Sequence, residues 1–204
     1  MHLVCLDLEG VLIPEIWIEF SKRSGIAALS RTTRDEPDYD KLMRFRLQVL
    51  REHGMKLGDI QAVIATMSPL PGAKAFLDEL RSRYQVVILS DTFYEFARPM
   101  MRQLGWPTLL CHRLVVGEDG SVLDYRLRMP DPKRAAVNAF RSLNLRIVAA
   151  GDSYNDTTML GAADAGFFLH APDAITAQFP QFKAHADYPS LLASIDAAGL
   201  DDRG

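Results

Sequence analysis

The sequence predicts an α/β protein, a doubly wound parallel sheet with a small helical block inserted after the first strand. Two observations predict the sheet. Apolar runs at Leu3–Asp7, Val86–Asp91 and Ile147–Asp152 each end in an acidic residue. Between them lie stretches with apolar residues at three- and four-residue spacing, and such alternation builds βαβ units around a parallel sheet. A third observation predicts the insertion: Pro14 to Met67 contains no good strand and three helical patterns.

The first strand runs through Asp7-Leu8-Glu9 into Gly10, so two carboxylates stand at its tip. Open α/β sheets place their chemistry at such tips. A carboxylate there can bind a cation, or attack phosphorus and become an aspartyl-phosphate. In the helical block the clearest pattern starts at Asp38, with Leu42, Phe45, Val49 and Leu50 on one side. Lys41, Arg44, Arg46 and Arg51 supply cations along it. A helical block of this length exceeds an ordinary crossover. Residues 14–67 are therefore expected to form a cap that folds over the strand tip, on a core of residues 1–13 and 68–204. The alternative is a set of ordinary core helices.

Pro71-Gly72 opens the next helix, with Ala73, Phe76, Leu77 and Leu80 inward. Another spans Phe93 to Leu104 and stops at Gly105. Leu114 to Leu123 reads as a hairpin around Asp119-Gly120. Asp131-Pro132 starts a helix whose apolar face is Ala136, Val137, Phe140 and Leu143; Asp131 suits the N-cap and Pro132 the first helical position. Phe167–His170 is a fourth strand, and the tail after Gly199 is expected to fray.

Composition narrows the function classes. The 204 residues are 48% hydrophobic and 24% charged, enough for one sizeable core. A net charge of -3 argues against nucleic acid as a partner. No positive leader and no bilayer-length apolar segment is found, so no membrane partner is expected. Cys5 and Cys111 form no disulfide framework, and a reducing cytoplasm is the expected location.

Four polar clusters sit at matching strand tips. Asp7 and Glu9 follow the first strand, Ser90-Asp91-Thr92 the second, and Gly151-Asp152-Ser153-Tyr154-Asn155-Asp156 the third; Lys133 opens the helix before that third strand. In a parallel sheet these tips point the same way. Several carboxylates at one spot repel unless a cation joins them, and hard oxygen ligands favour Mg²⁺. A phosphoryl group needs positive charge and donors, which Lys133 and Ser90 supply. Asp7 then attacks in line, while Glu9 protonates the leaving oxygen and later activates water.

In order and spacing, Asp7-Leu8-Glu9-Gly10-Val11, Ser90-Asp91-Thr92, Lys133 and Gly151-Asp152-x-x-Asn155-Asp156 resemble the four motifs of the haloacid dehalogenase-like phosphohydrolases. The helical block resembles that superfamily's small cap. Within the superfamily the chain is most similar to phosphoserine phosphatases, including those that also transfer the phosphoryl group to homoserine. The resemblance implies a haloacid dehalogenase-type, Rossmann-like core and a Mg²⁺ site drawn from Asp7, Glu9, Asp152 and Asp156. For Glu9 the expected contact is its backbone carbonyl. It implies phosphate contacts from Ser90, Asp91 and Lys133. It also implies that Glu15 meets the substrate amine, Arg46 its carboxylate, and that Asn155 belongs to the substrate site. Phosphoserine is then the donor, with homoserine as an acceptor beside water.

The residues leave bland roles open. Asp156 and Glu15 also suit helix-start charges, and Arg46, like Arg44, a solvated ion pair. His112, His170, Met100-Met101 and Met159 read as structural. Three departures from the family pattern stand out: Glu9 replaces an aspartate, Val11 a threonine, and Ser90-Asp91-Thr92 the usual Ser-Gly-Gly. Asp91 places an anion beside a phosphate, unless it caps the following helix. Two other functions compete: a phosphatase for another small substrate, and a signalling module phosphorylated on Asp7.

Overall fold

The computed structural model describes residues 1–32, 35, 36 and 38–200. Strand β1 (His2–Leu6) is followed by helices α1 (Ile16–Ser24), α2 (Tyr39–Glu52), α3 (Leu57–Ala65) and α4 (Ala73–Arg83). Then come β2 (Gln85–Phe93), α5 (Tyr94–Gln103), β3 (Thr108–Val116) and β4 (Val122–Arg126). The chain continues with α6 (Pro132–Ser142), β5 (Arg146–Gly151), α7 (Thr157–Ala162), β6 (Ala165–Leu169), α8 (Asp173–Gln178), β7 (Lys183–His185) and α9 (Tyr188–Leu200).

The seven strands form one sheet in the order β4-β3-β2-β1-β5-β6-β7. Every pairing is parallel except β3 with β4. The chain runs outward from β1 through β2 and β3, returns by α6 to the other side of β1, and runs outward again. That reversal opens a crevice at the carboxyl ends of β1, β2 and β5, where α/β proteins bind ligands.

Strand periodicity divides the core. Val4, Leu6, Val148 and Ala150 join a cluster that includes α1, α3, α4 and α5 side chains. Their neighbours Leu3, Cys5, Ile147 and Ala149 join a second cluster with α6 and α7. Alternate residues of β1 and β5 thus serve opposite faces, as a two-residue repeat requires. The larger cluster also takes in Trp17, Phe20, Met43, Leu47, Ile60 and Ile64, so the helices between β1 and α4 bury their apolar faces on the sheet's own core. Among them, α2 is capped by Asp38, whose carboxylate accepts from Lys41 N–H at 3.1 Å. Among the described residues no helix is long and apolar enough to cross a membrane.

Several local expectations change. β2 continues to Phe93, two residues beyond Asp91, and α5 starts at Tyr94 with no side-chain cap, so Asp91 does not cap that helix. The hairpin forms, but β3 starts at Thr108 because its first half pairs with β2 before its second half pairs with β4. The polar His112-Arg113 pair hides that continuity in the sequence. Asp131 stands at the N-cap of α6, yet its carboxylate is spent on Arg134 at 2.7 Å and Thr158 at 3.0 Å. β7 is an unexpected three-residue strand, too short for a periodic signal. Beyond Leu200 the expected fraying falls outside the described residues.

Candidate active site

Asp7 directly follows β1 and stays bound to the sheet, its N–H donating to Ala150 O at 2.9 Å. Its Oδ1 accepts from Leu8 N–H at 2.7 Å and lies 3.0 Å from Lys133 Nζ. Oδ2 takes no hydrogen bond among the described residues. Burial pushes the Asp7 carboxyl up, helped by repulsion from Asp156 and opposed by Lys133.

Lys133 occupies the first turn of α6, where the helix dipole disfavours a cation. Its surroundings reverse that preference. Nζ lies 2.7 Å from Asp156 Oδ1 and 3.7 Å from Asp91 Oδ2, besides its contact with Asp7. Burial opposes the ammonium charge, but Asp156, Asp7 and Asp91 outweigh it and hold the Lys133 pKa well up.

Asp156 is fully buried and fully engaged. Its Oδ2 accepts from the N–H groups of Asp152 and Ser153 and from Ser153 Oγ, all at 3.0 Å. It ties the β5 loop to Lys133 and shapes the ground beneath Asp152. The backbone permits this only because residue 151 is glycine: a Cβ there would stand 2.4 Å from the Asp156 carboxyl carbon. Across the crevice, Gly10 adopts φ +75°, and a Cβ there would lie 2.2 Å from Asp152 Oδ2. Burial, with repulsion from Asp156, raises the Asp152 carboxyl to about 7. Asp7, Asp152 and Asp156 each bring one oxygen within 4.8 Å of the others. Hard carboxylate oxygens held this close together repel one another and fit a divalent cation such as Mg²⁺.

Glu9 lies outside that trio. Its Oε2 accepts from Ile16 N–H at 2.8 Å, so it caps the start of α1, the position the sequence offers to Glu15. Burial and Glu15 lift its pKa to about 7, against the Ile16 and Thr92 hydrogen bonds. The β2–β3 register slips after Leu89, so that Phe93 next pairs with His112. Ser90, Asp91 and Thr92 bulge there and turn toward the crevice.

Helices α1 and α2 roof this floor. All eight expected site residues from Asp7 through Asp152, namely Asp7, Glu9, Glu15, Arg46, Ser90, Asp91, Lys133 and Asp152, line one cavity of about 260 Å³, together with Asn155. Asp156 sits just behind it. Arg46 is buried rather than solvated: its guanidinium stacks 4.5 Å over Trp17 and Nη2 donates to Arg31 O at 2.7 Å. Its Nε has no partner among the described residues, and burial lowers its pKa to about 10, which keeps it cationic at neutral pH. Arg44 instead pairs with Asp124 at 2.8 Å on the surface. Trp17, Tyr39, Leu42, Thr92 and Ile175 also line the cavity, though the sequence singles out none of them as a site residue. Only Thr92, inside a motif, carried a local signal.

Residues 1–164 match the haloacid dehalogenase-like hydrolase family. The chain belongs to the haloacid dehalogenase-like hydrolases. A phosphoserine phosphatase of Pseudomonas syringae pv. tomato is 65% identical over 191 residues, covering 94% of this chain and 81% of that protein. The phosphoserine phosphatase ThrH of Pseudomonas aeruginosa is 62% identical over 191 residues, covering 94% and 93%. A phosphoserine phosphatase solved as a phospho-aspartyl intermediate analogue superposes with a TM-score of 0.76 at 18% identity, over 95% of this chain and 98% of that one. That last likeness is one of fold. As a haloacid dehalogenase-like hydrolase, the chain is an enzyme with its acidic floor at the sheet's switch point and a helical roof above it.

Proposed function

We propose that this hydrolase is a phosphoserine phosphatase that works through an aspartyl-phosphate on Asp7 and also transfers the phosphoryl group to homoserine. The observation that carries the reading is the buried Asp7–Lys133–Asp156 arrangement at the end of β1, with Oδ2 of Asp7 left free. The relatives' names supply phosphoserine, and the ThrH name suggests threonine-pathway chemistry.

Asp7 Oδ2 attacks phosphorus as the serine oxygen departs opposite. Glu9, held up to about 7, gives that oxygen its proton. Lys133 and Ser90 bind the phosphoryl oxygens, with Asp91 beside them. Serine leaves, and Glu9 takes a proton from water or from the homoserine hydroxyl as it attacks the aspartyl-phosphate. Arg46 holds the amino acid's carboxylate, Glu15 its ammonium group, and Asn155 closes the contact from the β5 loop. Asp7, Asp152 and the Glu9 backbone carbonyl would hold Mg²⁺, with Asp156 bracing Asp152 from behind, and the cation would neutralise charge on the phosphoryl oxygens. Residues 14–67 act as a cap that excludes bulk water, so that an alcohol can compete for the intermediate. The extra methylene of Glu9 sets the acid/base oxygen farther out, and this helps admit the alcohol acceptor.

A small cavity with one buried arginine and several carboxylates suits a zwitterion better than a sugar or nucleotide phosphate. A signalling module needs an open phosphorylation site, and the α1–α2 roof disfavours it. The buried thiols Cys5 and Cys111 suit a reducing cytoplasm. The test is phosphate release from phosphoserine with Mg²⁺, with and without homoserine. Serine release with phosphohomoserine in the homoserine arm is expected; release of phosphate alone in both arms overturns the transfer claim.

A further inference from the structure

Among the described residues the Asp91 carboxylate, like those of Glu15 and Asp152, accepts no hydrogen bond at good distance, but it stands beside the lysine of the phosphate site. Asp7 Oδ1 is engaged by Leu8, Glu9 by Ile16, and Asp156 by Lys133, Asp152 and Ser153. The nearest cationic or donor nitrogens to Asp91 stand back: His112 Nε2 is 3.6 Å from Oδ1 and Lys133 Nζ is 3.7 Å from Oδ2. Both distances suit attraction but exceed a good hydrogen bond. The Asp91 side chain keeps 35% exposure, whereas Lys133 and His112 keep 4% each, and it lines the cavity.

Its aim is built in. The β2 bulge turns the residue toward the crevice. His112, buried on β3, accepts from Arg128 N–H through Nδ1 at 3.1 Å. The ring proton therefore sits on Nε2, directed at Asp91. An anion here, beside the lysine that serves a phosphoryl group, opposes phosphate monoesters in general. A substrate carrying an ammonium group next to its phosphate relieves that opposition. Attraction for one class and repulsion of the other together make a selectivity device.

We infer that Asp91, positioned by His112, is a specificity-determining residue that receives the ammonium group of amine-bearing phosphate monoesters and rejects amine-free ones. The inference rests on the phosphatase reading of the site, but not on serine as the substrate. Glu15 and Asp91 then bracket the amine from the roof and the floor.

The probes are phosphoethanolamine and n-propyl phosphate, which differ chiefly in the ammonium group. In the wild-type protein with Mg²⁺, kcat/KM should favour phosphoethanolamine. Asp91→Asn should cut that ratio at least tenfold, by raising KM for the amine and lowering it for propyl phosphate. His112→Gln should reduce the ratio in the same direction by a smaller factor, with thermal unfolding checking that both variants fold. Equal loss on both substrates, or an unchanged ratio, overturns the inference. Calorimetric Kd values for both compounds on Asp7→Asn, with and without Asp91→Asn, give the selectivity without turnover. A binding preference that Asp91→Asn abolishes, in a wild-type protein that releases no phosphate, contradicts the phosphatase reading and supports the ammonium site. Equal Kd values contradict the ammonium site alone.

Discussion

Lys133 and Asp156 form an ion pair of 2.7 Å in which neither side chain keeps more than 4% exposure. A buried pair is costly to assemble and costlier to break, because one partner's removal strands the other's charge. Asp156→Ala is therefore expected to destabilise the protein by about 3–5 kcal/mol, and Lys133→Met by a similar amount. Urea unfolding of the two single variants and the double variant checks this. The double variant should lose less than the two singles together.

Gly10 offers a second test, because its φ of +75° and its closeness to Asp152 both exclude a side chain. Gly10→Ala pushes a methyl group into the Asp152 carboxylate. Mg²⁺ affinity, followed by calorimetry, should fall by tenfold or more, since displacements near 1 Å matter at such sites. Gly25, also at positive φ but with open space around it, is the control: Gly25→Ala should leave affinity unchanged.

Glu9 links pH to stability with a definite sign. Its carboxyl rises from 4.5 to about 7 on folding, so the folded protein keeps a proton the unfolded chain has released. Stability therefore falls as pH rises from 4.5 to about 7, and stays lowered above that window. Glu9→Gln keeps an acceptor for Ile16 N–H and removes the titration. In metal-free protein it should match wild type at low pH and be more stable at pH above about 7, by roughly 1–3 kcal/mol. Calorimetric melting across that range reads the difference, which activity loss in the same variant does not affect.

Arg46 is expected to read the substrate carboxylate through the nitrogen that has no protein partner. Arg46→Ala should reduce kcat/KM for phosphoserine about a hundredfold while changing that for phosphoethanolamine far less, since a charge-assisted contact is worth about 1.5–3 kcal/mol. Steady-state kinetics on the two substrates checks it. Equal losses would reduce Arg46 to a packing role on Trp17.

Much of this was legible in the sequence because the informative residues are local. Asp7, Asp152 and Lys133 each sit at an element boundary marked by glycine, proline or the end of an apolar run. The start of α2 near Asp38 and the apolar positions Leu42, Val49 and Leu50 were equally plain. What escaped reading depends on contacts across the chain. Asp91 is expected beside the phosphate, with a helix cap as the alternative, and it is the β2–β3 slip that turns it toward Lys133 and away from α5. His112 looked structural, and its partner lies on another strand. Glu15 suits a helix-start charge, yet it is Glu9 that accepts from Ile16 N–H at the start of α1, because no spacing rule shows a loop folding back onto a helix end. Tyr39 and Trp17 line the cavity through the packing of α1 and α2, which no motif records.

The central claim is that Asp7 carries the phosphoryl group. Rapid quench of wild-type protein with phosphoserine and Mg²⁺, followed by peptide mass spectrometry, measures it most directly. The account predicts one added phosphoryl group on Asp7 in wild type, with no adduct and no phosphate release from a folded Asp7→Asn variant. Phosphate release at the wild-type rate from Asp7→Asn, or an adduct on another residue, would contradict it.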